Sequence, residues 1–211
     1  MALRVDIVSD VVCPWCVIGY LRLERVLDRL ALSDHLEIHW HPFELNPAMP
    51  SVGMDLYQYT FEKYAITSDA SESARQSIYQ LGLELNFTFN FSQDMKIYNT
   101  RKAHQLLMWS AQFGLQYSLK MALFNAYFTQ QLDINCAETL CNIARSVGLN
   151  ADVAQQVIND DSWKQAVAVT EQQWFEAGIN AVPTFIINQK QILVGAQTEA
   201  TLTDVIKNAQ L

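Results

Sequence analysis

The chemistry in this sequence is concentrated in four cysteines at two short spacings. Cys13 and Cys16 form a C-x-x-C near the start, and Cys136 and Cys141 form a C-x4-C far downstream. In Val11-Val12-Cys13-Pro14-Trp15-Cys16 the proline suits the first position of a helix, where its missing N–H would bond to nothing anyway. Cys13 is then the N-cap, facing free amides and the positive end of the helix dipole. Both favour a thiolate and pull its pKa below the free value of about 8.5. Cys16 lies one turn further in, within reach of a disulfide and more buried. The expected pair is asymmetric: an accessible attacking thiolate and a resolving thiol. Two other readings of C-x-x-C are half a zinc site and a pair of core cysteines. Zinc needs a second pair at C-x2-C or H-x3-5-H spacing, which C-x4-C does not supply. Core cysteines fit poorly with a proline set between them at a helix start.

The other candidates carry weaker signals. Asn135 and Glu138 bracket the second pair like a capping box, with Asn135 as the cap. A helix starting there sets Cys136 and Cys141 about 140° apart around its axis, too far apart for a disulfide. Those thiols are expected to stay reduced. His39 and His41 share one strand face, read as solvated, and His104 is read as a packed or capping histidine. With His35, these four make no metal-ligand spacing, so no metal is assigned. Pro183 follows Ala181-Val182 and precedes the apolar run Thr184-Phe185-Ile186-Ile187. A proline entering a strand costs a ladder hydrogen bond and is confined to edges or special turns.

Three stretches must position these residues. Leu3, Val5 and Ile7 alternate with Arg4 and Asp6 as in a strand, and the helix after Cys13 carries Leu23, Val26, Leu27 and Leu30 on one face. Leu36, Ile38 and Trp40 form a second strand, and Pro42, Pro47, Pro50 and Gly53 then break the chain. From Met54 to Gly178 the pattern is helical, with Gly82, Gly114, Gly148 and Gly178 placed where helices should stop. Phe87 to Phe91 alternates but reads as a loop packed by aromatics. The end of the chain forms a hairpin of 184–187 and 191–194, then a helix carrying Leu202, Val205 and Ile206. Because strands flank the helical block, the fold is expected to be α/β, a βαβ…ββα domain with an all-helical insertion. The expected parts are 1–53 with 165–211, and the insertion 54–164.

Composition narrows the function classes. The chain has 211 residues, 50% of them hydrophobic, with 14 Lys+Arg against 22 Asp+Glu and a net charge of −8. That is a folded chain with a sizeable core. An acidic balance argues against nucleic acid, which needs a basic face. No apolar run approaches the roughly 20 residues of a membrane span. The charged first residues do not read as a secretory signal, so the expected location is cytoplasmic.

Asp10-Val-Val-Cys13-Pro-Trp-Cys16 and Gly178-Ile-Asn-Ala-Val182-Pro183-Thr184-Phe185 resemble the DsbA-like thioredoxin superfamily, and more closely the FrnE-like dithiol–disulfide oxidoreductases. Further matching segments include Pro42-Phe43-Glu44-Leu45-Asn46-Pro47, Ala103-His104 and Val194-Gly195-Ala196-Gln197, so the resemblance spans the chain. It implies a thioredoxin fold interrupted by helices, with Pro183 in the cis form facing the cysteines. It also implies an extended protein or peptide substrate pairing with the backbone at Val182, beside Pro14 and Trp15. In some FrnE-like relatives a second pair is an accessory redox site, which would assign that role to Cys136 and Cys141. No cofactor is implied beyond glutathione or a thioredoxin system as redox partner. Strongly oxidising members carry a histidine where this chain has Trp15, so this pair is expected to be less oxidising. The buried acid of thioredoxins is replaced by Ile7, leaving Asp6 and Asp10 unassigned. The rival reading is a glutathione-dependent isomerase or transferase of the hydroxychromene-carboxylate isomerase or kappa class, whose members generally have serine at the position of Cys13.

Overall fold

The computed structural model describes residues 3–32 and 36–209, so His35 lies outside the described residues. In chain order the elements are β1 (Leu3–Ser9), α1 (Pro14–Arg29), β2 (Leu36–Pro42), β3 (Met54–Asp55), α2 (Leu56–Tyr64), α3 (Ser68–Glu84), β4 (Lys96–Ile97) and α4 (Arg101–Ser110). There follow α5 (Gln116–Phe124), α6 (Ala137–Ser146), α7 (Ala151–Asn159), α8 (Asp161–Glu176), β5 (Thr184–Ile187), β6 (Gln191–Val194) and α9 (Glu199–Ala209). A four-stranded sheet has the order β2-β1-β5-β6, with β1 parallel to β2 and antiparallel to β5. Both ends of the chain therefore build one sheet, and α2 to α8 lie between its halves in sequence. The fold is α/β, as the strand pattern predicts, with the thioredoxin-like core that the resemblance implies.

β1 is buried on both faces. Leu3, Val5 and Ile7 join the large core under α1 and α9, while Val8 packs with Phe43, Ile179 and Ile186. This second cluster lies under the end of α8, where Trp174 packs against it. The same cover corrects the solvated reading of the histidines. His41 is bonded to Asp6 at 2.8 Å and lies edge-on to Trp174, with ring centroids 4.7 Å apart. Among the described residues, Nε2 of His39 is buried without a hydrogen-bond partner. The period-2 pattern gives the shared face of these residues but not the helix that covers it.

The helical block has two features that the periodicity does not show. Met54–Asp55 pairs with Lys96–Ile97 as a short antiparallel ribbon. Gly82 is inside α3 and does not end it, contrary to the expectation from glycine placement. It is needed there because a Cβ would meet the Phe89 ring at 2.5 Å and the Phe87 carbonyl at 2.6 Å. Gly114, Gly148 and Gly178 do have positive φ. The Phe87–Phe91 segment is irregular, as expected, and packs on Phe128. Phe128 belongs to a π-helical turn, Asn125–Thr129, that continues α5. Such turns re-aim side chains and often border functional sites.

Candidate active site

Cys13 ends the turn that leaves β1. Its amide bonds to the carbonyl of Asp10, its own carbonyl accepts from the amide of Cys16, and Pro14 begins α1. Cys13 is the N-cap, as the proline predicts, with no side chain capping the helix. One expectation needs correction. Cys13 is only 4% exposed and Cys16 1%, so the first thiol is covered rather than accessible. The cover is the loop before β5. The Val182–Pro183 bond is cis, and the Cys13 sulfur lies 3.9 Å from the Val182 carbonyl oxygen. Pro183 also packs on α1, where it would stand 3.1 Å from a Cβ at Gly19. Trp15 remains 44% exposed at the rim. The loop and the cysteine motif, 169 residues apart in sequence, therefore meet as the resemblance implied.

Burial, joined by a hydrogen bond to the Cys13 sulfur, holds the Cys16 thiol well above the ordinary thiol range. The opposing pull comes from Lys120 and from the backbone of Asp10. Lys120 lies on α5 and is 1% exposed, with Nζ 5.2 Å from the Trp40 ring centre and 4.9 Å from that of Phe124. Burial lowers its pKa to about 8, against the attraction of Cys16, Asp10 and Cys13. The positive charge of Lys120 favours a thiolate at Cys16, against that burial.

Beside the dithiol lies a polar chain. The Asp10 carboxylate accepts the Leu45 amide at 2.7 Å and is 3.3 Å from Nε2 of His104, which is 3.1 Å from the Phe43 carbonyl. Next along, the Glu44 amide donates to Glu171, and Arg101 bridges both carboxylates. Burial and then the charge of Glu171 push Glu44 up to about 7. On the other side is a pocket of about 430 Å3, bordered by Cys13, Pro14, Trp15 and Val182 and walled by α2, α3 and the π-helical turn.

The second cysteine pair is not in that pocket, and its helix begins one residue later than the capping box predicts. Cys136 is itself the N-cap of α6, and Asp133 accepts the amides of Asn135 and Cys136. The side-chain amide of Asn135 donates instead to the Ser51 carbonyl. Hydrogen bonds from the backbone and side chain of Thr139 lower the pKa of the exposed Cys136 thiol. All four cysteines are free thiols.

Lys120 and Arg75 border the site without having been singled out by sequence. The signal for Lys120 was its place three residues before Leu123 and seven before Tyr127, on the apolar stripe of its helix.

A sheet of this order with a C-x-x-C opening the first helix, opposite a cis-proline loop, defines the thioredoxin-fold proteins of the DsbA kind. The chain belongs to the DSBA-like thioredoxin domain family, which it matches over residues 4–207. Members of that family are thiol–disulfide oxidoreductases. Among curated sequences, YwbO of Bacillus subtilis, itself uncharacterized, is 26% identical over 214 residues, covering 100% of this chain and 98% of YwbO. The crystal structure of a probable DsbA oxidoreductase from Streptomyces coelicolor superposes with a TM-score of 0.92 at 24% identity, covering 99% of this chain and 90% of that one. The cytosolic disulfide reductase DsbM of Pseudomonas aeruginosa, solved with GSH, gives a TM-score of 0.65 at 16% identity, over 99% and 100% of the two chains. At those identities both structures speak to the fold. Among the described residues, no helix is long and apolar enough to cross a membrane.

Proposed function

We propose that this protein exchanges disulfides in protein or peptide substrates through Cys13 and Cys16, acting in the cytoplasm as a reductase or isomerase. The Cys13 thiolate attacks one sulfur of a substrate disulfide and expels the other as a thiolate, leaving a mixed disulfide. Cys16 gives up its proton and attacks the Cys13 sulfur. The second substrate thiolate departs, and two electrons have passed from the dithiol to the substrate. A thiol reductant, glutathione or a thioredoxin, restores the dithiol. In isomerase action the substrate's own thiol resolves the mixed disulfide instead of Cys16. The backbone at Val182 holds the substrate strand, and Pro14 and Trp15 border it.

The observation that carries this reading is the asymmetry of the two thiols. Cys13 is at a helix N-terminus facing the Val182 carbonyl, and Cys16 is buried behind it with its proton tightly held. The rival, a glutathione-dependent isomerase or transferase, uses a single group at the position of Cys13 and has no work for Cys16. Insulin reduction measured beside glutathione conjugation of an electrophile separates the two. The dithiol reading predicts insulin reduction that is lost in Cys13→Ser, and the rival predicts conjugation that survives Cys16→Ser.

A further inference from the structure

The pocket beside Cys13 differs from the rest of this acidic chain. Its wall is mostly aliphatic and aromatic, with Ile78, Phe91 and Tyr127 among the residues facing the space. Among the described residues no aspartate or glutamate lines it, although the chain has 22 of them. Its one charged side chain is Arg75, 6% exposed. The guanidinium stacks 3.6 Å from the Tyr57 ring centre and donates to Ser71 and Glu72, which uses two of its five N–H groups. A second group points the same way. Tyr59 also lines the pocket and is 7% exposed; among the described residues its buried hydroxyl has Tyr64 and Asn46 as polar neighbours but no well-formed hydrogen bond. An orphaned buried hydroxyl costs free energy that a ligand's acceptor recovers.

We infer that this pocket is a subsite for a low-molecular-weight disulfide whose entering half has an aromatic or bulky apolar body and one anionic group. Its sulfur meets Cys13, its body fills the apolar space, and its anion and acceptor atoms meet Arg75 and Tyr59. A pocket of about 430 Å3 is in the range that houses a whole small ligand rather than one protruding side chain. Arg75 is the one cation on the wall and its ion-pair partner Glu72 lies outside it, so three N–H groups remain for one anionic group on the entering half. Glutathione disulfide, polar and carrying several charges of both signs, matches neither the wall nor the charge. The inference rests on the dithiol reading above. The chemistry is the same exchange: one S–S bond of the small molecule breaks, Cys13–Cys16 closes, and two small thiols leave.

The test is saturation kinetics of the reduced protein with three disulfides: dithiobis-nitrobenzoate (aromatic, carboxylated), dipyridyl disulfide (aromatic, uncharged) and cystamine (aliphatic, cationic). Each rate is divided by that of free dithiothreitol with the same disulfide, to remove intrinsic reactivity. The expected KM for the carboxylated aromatic is about ten-fold or more below that for cystamine. Arg75→Met should raise that KM about ten-fold, equivalent to about 1.4 kcal/mol, and leave dipyridyl disulfide within about two-fold. Arg75→Lys should keep the preference, and unchanged turnover of dipyridyl disulfide shows that a variant is folded. Equal KM values across the three disulfides, or an Arg75→Met effect equal on charged and uncharged aromatics, overturns the subsite. If the wild-type protein reduces insulin but shows no such preference, only this inference fails. If it reduces no disulfide, the dithiol reading fails with it.

Discussion

The sulfur of Cys13 and the carbonyl oxygen of Val182 face each other at 3.9 Å on the border of the pocket. A substrate sulfur must enter between the Val182 backbone and the pocket rim to reach a thiol that is otherwise covered. In the proposed function binding and attack are therefore coupled: a substrate strand paired with Val182 would deliver its cysteine to Cys13. This arrangement gives the two cysteines separable phenotypes. Cys13→Ser should remove disulfide reduction altogether. Cys16→Ser should keep the attack and lose the escape, so mixed disulfides accumulate and run as covalent adducts on non-reducing gels. Adducts on the Cys13→Ser protein instead would reverse the assignment of nucleophile.

In the proposed exchange Lys120 is expected to set how readily the second step runs. Its charge is the main attraction offsetting burial at Cys16. Lys120→Met keeps the length of the side chain and removes the charge, so Cys16 should hold its proton still more tightly. Resolution of a preformed mixed disulfide should slow about ten-fold at pH 7, where a one-unit shift in the thiol pKa is a factor of ten in thiolate, and the gap to the wild type should close toward pH 9 because Lys120, lowered to about 8, loses its charge there. The fold should tolerate the change, since a buried cation without an ion-pair partner gives way to an apolar side chain. Equal slowing at pH 7 and pH 9 would point to altered packing instead.

The strands, the first helix and the meeting of Pro183 with Cys13 were legible because each rests on a local signal: period-2 alternation, a proline at a helix start, or a family motif. Three things were not. That Cys13 is covered depends on a loop 169 residues away. The pairing of Asp6 with His41 depends on α8 folding over a face that β2 alone leaves open. The start of α6 was misplaced by one residue because Asn135 and Glu138 have the right types and spacing, yet the carboxylate of Asp133 takes the amides of Asn135 and Cys136. Local pattern identifies a set of competing caps, and tertiary contact, here from Asn135 to Ser51, chooses among them.

That shift changes what the second pair does under alkylation. Cys136 is exposed and its pKa is lowered, so it should take up iodoacetamide at neutral pH faster than any of the three buried thiols. Racing it against Cys13 therefore says nothing about which thiol attacks substrate. An N-cap and the fifth residue of its helix have Cα atoms more than about 7 Å apart, so Cys136 and Cys141 should not pair under mild oxidant. Cys136→Ser should abolish the fast labelling and leave insulin reduction unchanged. A Cys136–Cys141 disulfide found by mass mapping of the native oxidised protein would show instead that the first turn of α6 opens.

Glu44 should leave a mark on stability against pH. Its folded pKa of about 7 lies above the ordinary 4.5, so between those values the native state holds a proton that the unfolded chain has lost. The unfolded state binds fewer protons there, and this contribution to stability is fully present below about pH 4.5 and declines as pH rises through 7. Other groups act across the same range. His41, held below its usual value by burial, resists protonation in the fold and so favours the folded state as pH rises. The comparison must therefore be with Glu44→Gln, which keeps the shape and an acceptor for Arg101 but cannot ionise. Urea unfolding at pH 5 and pH 8 should show the wild type losing on the order of 2 kcal/mol relative to the variant over that interval. Parallel stability curves would mean that the proton is shared with Glu171, whose pKa burial also raises, and Glu171→Gln should then flatten the curve instead.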